Sequence, residues 1–319
     1  MGAGDGGRPG AATIHFTEVG PRDGFQNLAQ GLPTAVKLEV IRGLLATGVD
    51  LVEVTAFVSP TWVPQLADAE AVCAALDLPR LGARARVLVP NRRGLARALA
   101  AGAGRVVGTV GVTDGFNRRN VNRGVGESLR ELTALVAEAG AAAAVDVSLS
   151  CAFGCPFEGR VAPERVVALA LACVDAGVDE VGIADTIGVA TPPEVERVCG
   201  RLRDAGLASD RVALHLHDTR GVGLANAAAA AALGIRRFEG SVGGIGGCPF
   251  TPRATGNVCS EDLLHLLGSL GYGVGADLGA YLEVAKGLAG RLGRELPGRL
   301  HRAGLWTGAP LVDTAALPG

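Results

Sequence analysis

The chain has little of what marks a nucleic-acid-binding, membrane or disulfide-built protein. It carries 30 Lys and Arg against 32 Asp and Glu, a net charge of −2. No basic stripe stands out, which excludes an electrostatic grip on nucleic acid. The Arg-rich pieces Asn91-Arg92-Arg93 and Asn117-Arg118-Arg119-Asn120 are local. The longest apolar run, Leu224 to Leu233, is mostly alanine and too short to span a bilayer. Cysteine is odd in number, seven, and scattered, which points to a reducing compartment and not to a disulfide scaffold. Cys151 and Cys155 are spaced C-x₃-C without the second close pair that a zinc knuckle needs. The first eleven residues, MGAGDGGRPGA, hold no apolar stretch of the kind found in signal peptides, so 1–11 is expected to be a disordered tail. These absences together predict a soluble, cytoplasmic protein with neither nucleic acid nor membrane as a partner.

What is present is a large core and a repeated unit. Of 319 residues 48% are apolar, 48 are Gly and only 4% are aromatic, a composition that suits many helix–sheet contacts and short loops. Strand patterns fall at 13–19, 51–55, 85–89, 105–110, 143–150, 180–184, 212–217 and 237–242. Helical patterns fall between them, at 34–47, 64–76, 94–101, 125–139, 163–176, 192–205 and 223–233. Pro163 suits a first helical turn, and Thr191 suits an N-cap. Several strands are short apolar runs, as buried parallel strands are. Eight alternations predict a closed (β/α)8 TIM barrel, which typically needs about 250 residues plus extensions. An open doubly wound sheet would want G-x-G-x-x-G after the first strand, and the chain has Gly20-Pro-Arg-Asp-Gly24 there. The expected domains are a catalytic barrel over 12–259 and a helical extension over 260–319 packed on it. Ser260 is expected to cap a helix over 261–270, and 276–292 reads as another.

The stretch Val212 to Gly221, VALHLHDTRG, carries the clearest chemical signal. Residues two apart on a strand share a face, so His215 and His217 aim two imidazoles at one point while Leu216 packs the other way. In a TIM barrel the active site lies at the C-terminal ends of the strands. There the sequence places Arg22, Asp23, Gln26 and Asn27 after the first strand and Glu53 in the second. Asp185 and Thr186 follow the sixth, His215, His217 and Asp218 end the seventh, and Cys248 and Asn257 follow the eighth. Taken singly, Asp23 would cap a turn, Glu53 would pair with an Arg and Asp185 would cap the next helix; their common address points to function. Asp23, His215, His217 and Asn257 form the expected metal set. One carboxylate, two imidazoles and an amide oxygen suit octahedral Mg²⁺ or Mn²⁺ better than zinc. Glu53 and Asp185 are expected to orient the site or to act as acid or base, and Arg22, Gln26 and Thr186 to meet the substrate. Cys248 sits in GGIGGCPF, whose glycines permit movement, so the loop reads as a closing lid that brings a thiol proton donor to a carbanion or enolate.

The segments EVGPRDGFQN, VEVTAFVSP, SCAFGCPFEG, ADTIG, HLHDT and SVGGIGGCPF with ATGN resemble, in order, the 3-hydroxy-3-methylglutaryl-CoA lyase family, within the DRE-type TIM-barrel metallolyases. The resemblance runs from about Thr13 to about Lys286. It implies divalent-metal-dependent retro-Claisen cleavage of a 3-hydroxyacyl-CoA to acetyl-CoA and a ketoacid, acetoacetate in the parent reaction. It also implies a CoA-thioester substrate and a homodimer. By it, Asp23, His215, His217 and Asn257 match the metal ligands, Arg22 matches the residue holding the thioester oxygen, and Glu53, Asp185 and Cys248 match the remaining catalytic positions. The base stays open among Asp23, Glu53 and His215.

The chain departs from that family at Ala56, where Ser is usual, at Ser148, where better-known members carry Tyr, and at Gly182, where they carry Ser. Lost hydroxyls are expected to loosen or change acyl recognition, by about 1–3 kcal/mol for each polar atom left unpaired. A related or bulkier 3-hydroxyacyl-CoA is therefore an expected alternative substrate. A Claisen-type synthase condensing an acyl-CoA with a 2-oxoacid would share the metal residues without needing Cys248. A silent barrel serving as a scaffold would carry no stoichiometric metal.

Overall fold

The computed structural model describes residues 12–247, 256–306 and 308. Eight parallel strands close into a barrel: β1 (Thr13–Glu18), β2 (Leu51–Ala56), β3 (Ala85–Leu88), β4 (Arg105–Gly111), β5 (Ala144–Ser150), β6 (Glu180–Ala184), β7 (Val212–His215) and β8 (Arg237–Gly240). Each pairs with its sequence neighbour, and β8 returns to β1 with Thr17 opposite Glu239. Helices follow the strands: α1 (Thr34–Ala46), α2 (Ala69–Leu76), α3 (Arg92–Ala100), α4 (Val125–Ala139), α5 (Pro163–Asp175), α6 (Pro192–Asp204), α7 (Gly223–Ala232) and α8 (Ser260–Ser269). Leu278–Leu292 forms a further helix lying against α1, and α8 packs beside α7. Among the described residues no helix is long and apolar enough to cross a membrane.

Local chemistry explains the helix starts. Asn91 accepts the Gly94 N–H at 2.9 Å to cap α3, and Glu194 reaches back to the Thr191 N–H at 3.0 Å in a capping box for α6. The core lies between strands and helices and is built of branched residues such as Val52, Val87, Val145, Ile183 and Leu214, all buried. The expected strands and helices are present with ends shifted by a few residues, and three local readings differ. The helix expected from residue 64 starts as a single 3₁₀ turn, Pro64–Leu66, because α2 proper begins only at Ala69. Asp114–Val121 is helical although its sequence, DGFNRRNV, has too few apolar residues to show a period. Ser260 does not cap α8, whose N-cap is Cys259.

The hydroxyl of Ser260 is instead donated to Glu18 Oε2 at 2.6 Å. Glu18 is fully buried at the end of β1, and it also accepts the Gly20 N–H at 2.6 Å, the Val242 N–H at 3.0 Å and a very short bond from the Tyr281 hydroxyl. One carboxylate thus ties together β1, the loop after β8, α8 and the helix Leu278–Leu292. Burial pushes this carboxyl up to about 7 against the pull of its donors, Ser260 and Tyr281 foremost.

The folded chain therefore holds the Glu18 proton more tightly than the unfolded chain does. The resulting stability is full below the ordinary Glu value of 4.5 and is lost as the pH rises to about 7. Melting temperatures of the wild type are expected to fall across that window, and Glu18→Gln is expected to flatten the slope. A Glu18→Gln profile parallel to wild type between pH 5 and 8, read by calorimetry, counts against this assignment.

Candidate active site

The loop after β1 coils into a single wide turn, Gly20–Gly24, which carries Arg22 and Asp23 to the C-terminal mouth of the barrel. From the far side come His215, at the end of β7, and His217 just beyond it. Strand β7 stops at His215, two residues earlier than the sequence pattern predicts, and His217 forms a lone bridge with Asn257. The shared face survives the early end. The two imidazoles meet at Nε2···Nε2 3.2 Å, their centroids 5.2 Å apart.

Asp23, His215 and His217 are all buried, and each offers a ligand atom within 4.8 Å of the others. Ligands about 2.1 Å from a shared ion lie at most about 4.2 Å apart, so a small contraction brings this set to bonding geometry. Asn257, though 234 positions away, donates its Nδ2 to Asp23 Oδ2 at 2.8 Å. Its Oδ1 is buried with no partner among the described residues, as is His217 Nδ1. Such orphaned polar atoms beside a carboxylate and two imidazoles fit a divalent cation. Asp23 Oδ1 also receives Arg22 Nη1 at 2.6 Å and Gln26 Nε2 at 2.9 Å. Burial pushes the Asp23 carboxyl up, but Arg22 and then the two histidines outweigh it and hold the group below the usual carboxylate range.

Glu239, on β8, decides the tautomer of His215. Its Oε2 lies 2.9 Å from His215 Nδ1. Burial alone would raise this carboxyl, but Arg86 and His215 hold it ionised and well below the usual range. An ionised carboxylate only accepts, so Nδ1 carries a proton and Nε2 is the nitrogen turned to the site. Burial lowers the His215 imidazole, and the Glu239 hydrogen bond and charge reverse that to a net rise. Burial takes the His217 imidazole down to about 4, with His215 adding to the effect, so it is neutral at pH 7 and able to ligate.

The remaining expected residues sit as follows. Glu53 is fully buried between two guanidiniums, Arg22 Nε on one oxygen and Arg86 on the other. Asp185 stands beside His215 through its backbone N–H, donated to His215 O at 2.9 Å. Its carboxylate accepts the Val189 and Ala190 N–H groups at 2.9 and 3.0 Å, so it shapes the turn after β6. Burial raises that carboxyl above its ordinary value. Thr186 Oγ1 accepts the Cys151 N–H at 2.7 Å and joins the loops after β5 and β6. Gln26 points at Asp23. Cys248 lies outside the described residues. The stretches on either side of it converge at the site: an added Cβ on Gly256 would come within 2.1 Å of Gly244 O, and Asn257 Nδ2 also donates to Ile245 O at 3.2 Å. Ser148 and Gly182 are register partners on β5 and β6, and Thr109 Oγ1 lies 3.2 Å from Ser150 Oγ on the neighbouring pair of strands.

Sequence reasoning missed Arg86 and Glu239. Arg86 is a charged residue within the otherwise apolar strand ARVL, and that signal was available; Glu239 shares RFEG with Arg237 and carries no such mark. Without register, nothing in the sequence shows that they point inward.

The HMGL-like family model matches residues 13–287. The chain is 42% identical over 305 residues to the (R)-citramalyl-CoA lyase of Chloroflexus aurantiacus, covering 91% of this chain and 95% of that protein. It is 42% identical over 285 residues to the hydroxymethylglutaryl-CoA lyase of Pseudomonas mevalonii, covering 88% and 93%. The structure of an HMG-CoA lyase from A. baumannii in complex with coenzyme A and 3-methylmalate superposes with a TM-score of 0.88 at 32% identity, covering 94% of this chain and 98% of that one.

Replacing Glu239 by Gln keeps the shape beside His215 and removes the charge. Glu239→Gln is expected to weaken Mn²⁺ binding about tenfold or more, measured by titration calorimetry at pH 7.5. An unchanged Kd would show that the carboxylate does not tune the ligand.

Proposed function

This chain belongs to the HMGL-like family, and from that membership and the geometry of its barrel mouth we propose that it is a divalent-metal-dependent carbon–carbon lyase. Its proposed substrate is 3-hydroxy-3-methylglutaryl-CoA or a close 3-hydroxyacyl-CoA, cleaved to acetyl-CoA and the matching ketoacid. The observation that carries this reading is the meeting of Asp23, His215 and His217 donor atoms within 4.8 Å, with Arg22 bonded to the same Asp23. A Mg²⁺ or Mn²⁺ ion held by Asp23, His215, His217 and Asn257 supplies Lewis acidity toward the substrate's tertiary hydroxyl. In the cleavage the hydroxyl proton leaves to a base, the bond between C2 and C3 breaks, and its electron pair passes into the acetyl-CoA enolate.

The chain's own groups serve that charge flow. Arg22 is fixed by Glu53 and Asp23 through Nε and Nη1, which sets its Nη2 edge as a permanent cation for the thioester oxygen. Glu53 has both oxygens on guanidiniums, which suits orientation rather than proton abstraction. Cys248 is the proposed donor that protonates C2 of the enolate, and the convergence of its flanking residues beside Asn257 supports that assignment. The hydroxyls of Thr109, Ser148 and Ser150, on neighbouring strands and partly exposed, are proposed to meet the carboxylate end of the acyl chain. A homodimer in the cytoplasm belongs to the same proposal.

A second reading has its own support. The relative with 42% identity over 91% of this chain cleaves, by its name, (R)-citramalyl-CoA, which carries one methylene fewer between the carbinol carbon and the carboxylate. One methylene in a pocket discriminates by about 1–3 kcal/mol, so the two esters are best compared directly. The small residues Ala56, Ser148 and Gly182 leave the choice to that measurement.

Incubation with 3-hydroxy-3-methylglutaryl-CoA and Mg²⁺ is expected to release acetyl-CoA and acetoacetate, and EDTA is expected to abolish release. Release of acetyl-CoA and pyruvate from (R)-citramalyl-CoA at a kcat/KM ten times higher would move the assignment to that ester. Condensation of acetyl-CoA with a 2-oxoacid, without cleavage of either ester, would replace the lyase reading by a synthase. Cys248→Ser is expected to lower kcat at least about 100-fold, in the range general-acid catalysis provides, with Mn²⁺ affinity retained. Full turnover of Cys248→Ser would remove the thiol from the mechanism.

A further inference from the structure

Under the site, the barrel interior holds charge where such barrels usually hold layers of branched aliphatic side chains. Arg86, on β3, is 2% exposed. Its Nε and Nη2 donate to Glu53 Oε2 at 2.8 and 2.5 Å, and Nη2 also donates to Glu239 Oε1 at 2.6 Å. Each carboxylate turns its other oxygen toward the mouth. Glu53 Oε1 accepts from Arg22 Nε, and Glu239 Oε2 accepts from His215 Nδ1 at 2.9 Å. The remaining Nη1 faces Asp146 Oδ2 at 3.4 Å and Glu180 Oε1 at 3.7 Å.

We propose that Arg86 is a positioning residue for the lyase reaction, which sets Arg22 through Glu53 and His215 through Glu239. The inference rests on the lyase reading above. The planar fork of a guanidinium addresses two carboxylates in fixed directions, which the single ammonium of a lysine cannot reproduce. Loss of the fork frees Glu53 and Glu239 to rotate, and with them the cation meant for the thioester oxygen and one imidazole of the metal set. A merely structural cation would not have this reach. Arg105 is that comparison: it binds Asp146 at 2.7 and 3.0 Å and Glu180 at 3.5 Å, in the same buried network, and among the described residues its side-chain bonds to carboxylates go to these two and not to Glu53 or Glu239.

The test compares the full chain as wild type, Arg86→Lys, Arg86→Met and Arg105→Met. Titration calorimetry gives the Mn²⁺ Kd, and steady-state assay gives kcat and KM on whichever ester the wild type cleaves. Both Arg86 variants are expected to weaken Mn²⁺ binding about 10- to 100-fold and to lower kcat by a similar factor, with KM changed less than about threefold. Arg105→Met is expected to lower the melting temperature and leave Mn²⁺ affinity and kcat within about threefold of wild type. Arg86→Lys keeps the buried charge and carries the comparison where Arg86→Met fails to fold. Wild-type Mn²⁺ affinity and kcat in Arg86→Lys, or equal losses in Arg105→Met, overturn the proposal. A wild type that binds Mn²⁺ but cleaves neither ester overturns the lyase reading alone, and the Mn²⁺ affinities then still decide whether Arg86 sets His215.

Discussion

Four carboxylates enclosed in one barrel need directed cationic partners among them. Removing a carboxylate from water costs several kcal/mol even after relaxation, and only close, well-directed partners offset it. Arg86 is such a partner for Glu53 and Glu239, and it stands near Asp146 and Glu180 as well. The arrangement at the mouth follows from this pairing. Held on one side by Arg86, Glu53 and Glu239 each keep a second oxygen in a fixed direction, and these two oxygens meet Arg22 and His215.

From there the site assembles by a short sequence of contacts. Arg22 and Gln26 fix Asp23 from its own turn, and Asn257 reaches it from beyond the eighth strand. Glu239 fixes the tautomer of one imidazole, and burial keeps the other neutral. A carboxylate held ionised beside two imidazoles whose Nε2 atoms meet at 3.2 Å is a donor set for a hard or borderline divalent cation. The Arg22 guanidinium beside it suits a reaction in which negative charge grows on an oxygen next to the ion. Membership of the HMGL-like family and this donor set point to the same chemistry from independent directions, one from sequence likeness and one from geometry.

The fold was largely legible in the chain because its strand and helix patterns alternate strictly, and strand ends shifted by only a residue or two at most barrel positions. The proposed metal-site residues were legible for a similar reason: Asp23, His215, His217 and Asn257 all lie at or beyond the C-terminal ends of strands, where a barrel gathers its polar groups. What escaped were contacts that depend on register. Arg86 and Glu239 lie in short strands with apolar neighbours, and their pairing requires strands separated by 153 positions to face one another. The role expected of Ser260 failed for the same reason. A serine before an acidic helix start reads as a cap, but here its hydroxyl is taken by Glu18 from 242 positions away.

The sequence by itself determined the barrel, the mouth and the identities of the groups collected there, since periodicity and position along each βα unit are local properties of the chain. Only the tertiary structure decided how those groups are held. Glu53 turned out to lie between two guanidiniums, Asp185 to bind the turn that follows it, and His215 to lean on a carboxylate that no local pattern marks. The reason is physical: a hydrogen bond inside a closed barrel is set by strand register and by which partners share the dry interior, and neither is written in the order of neighbouring residues.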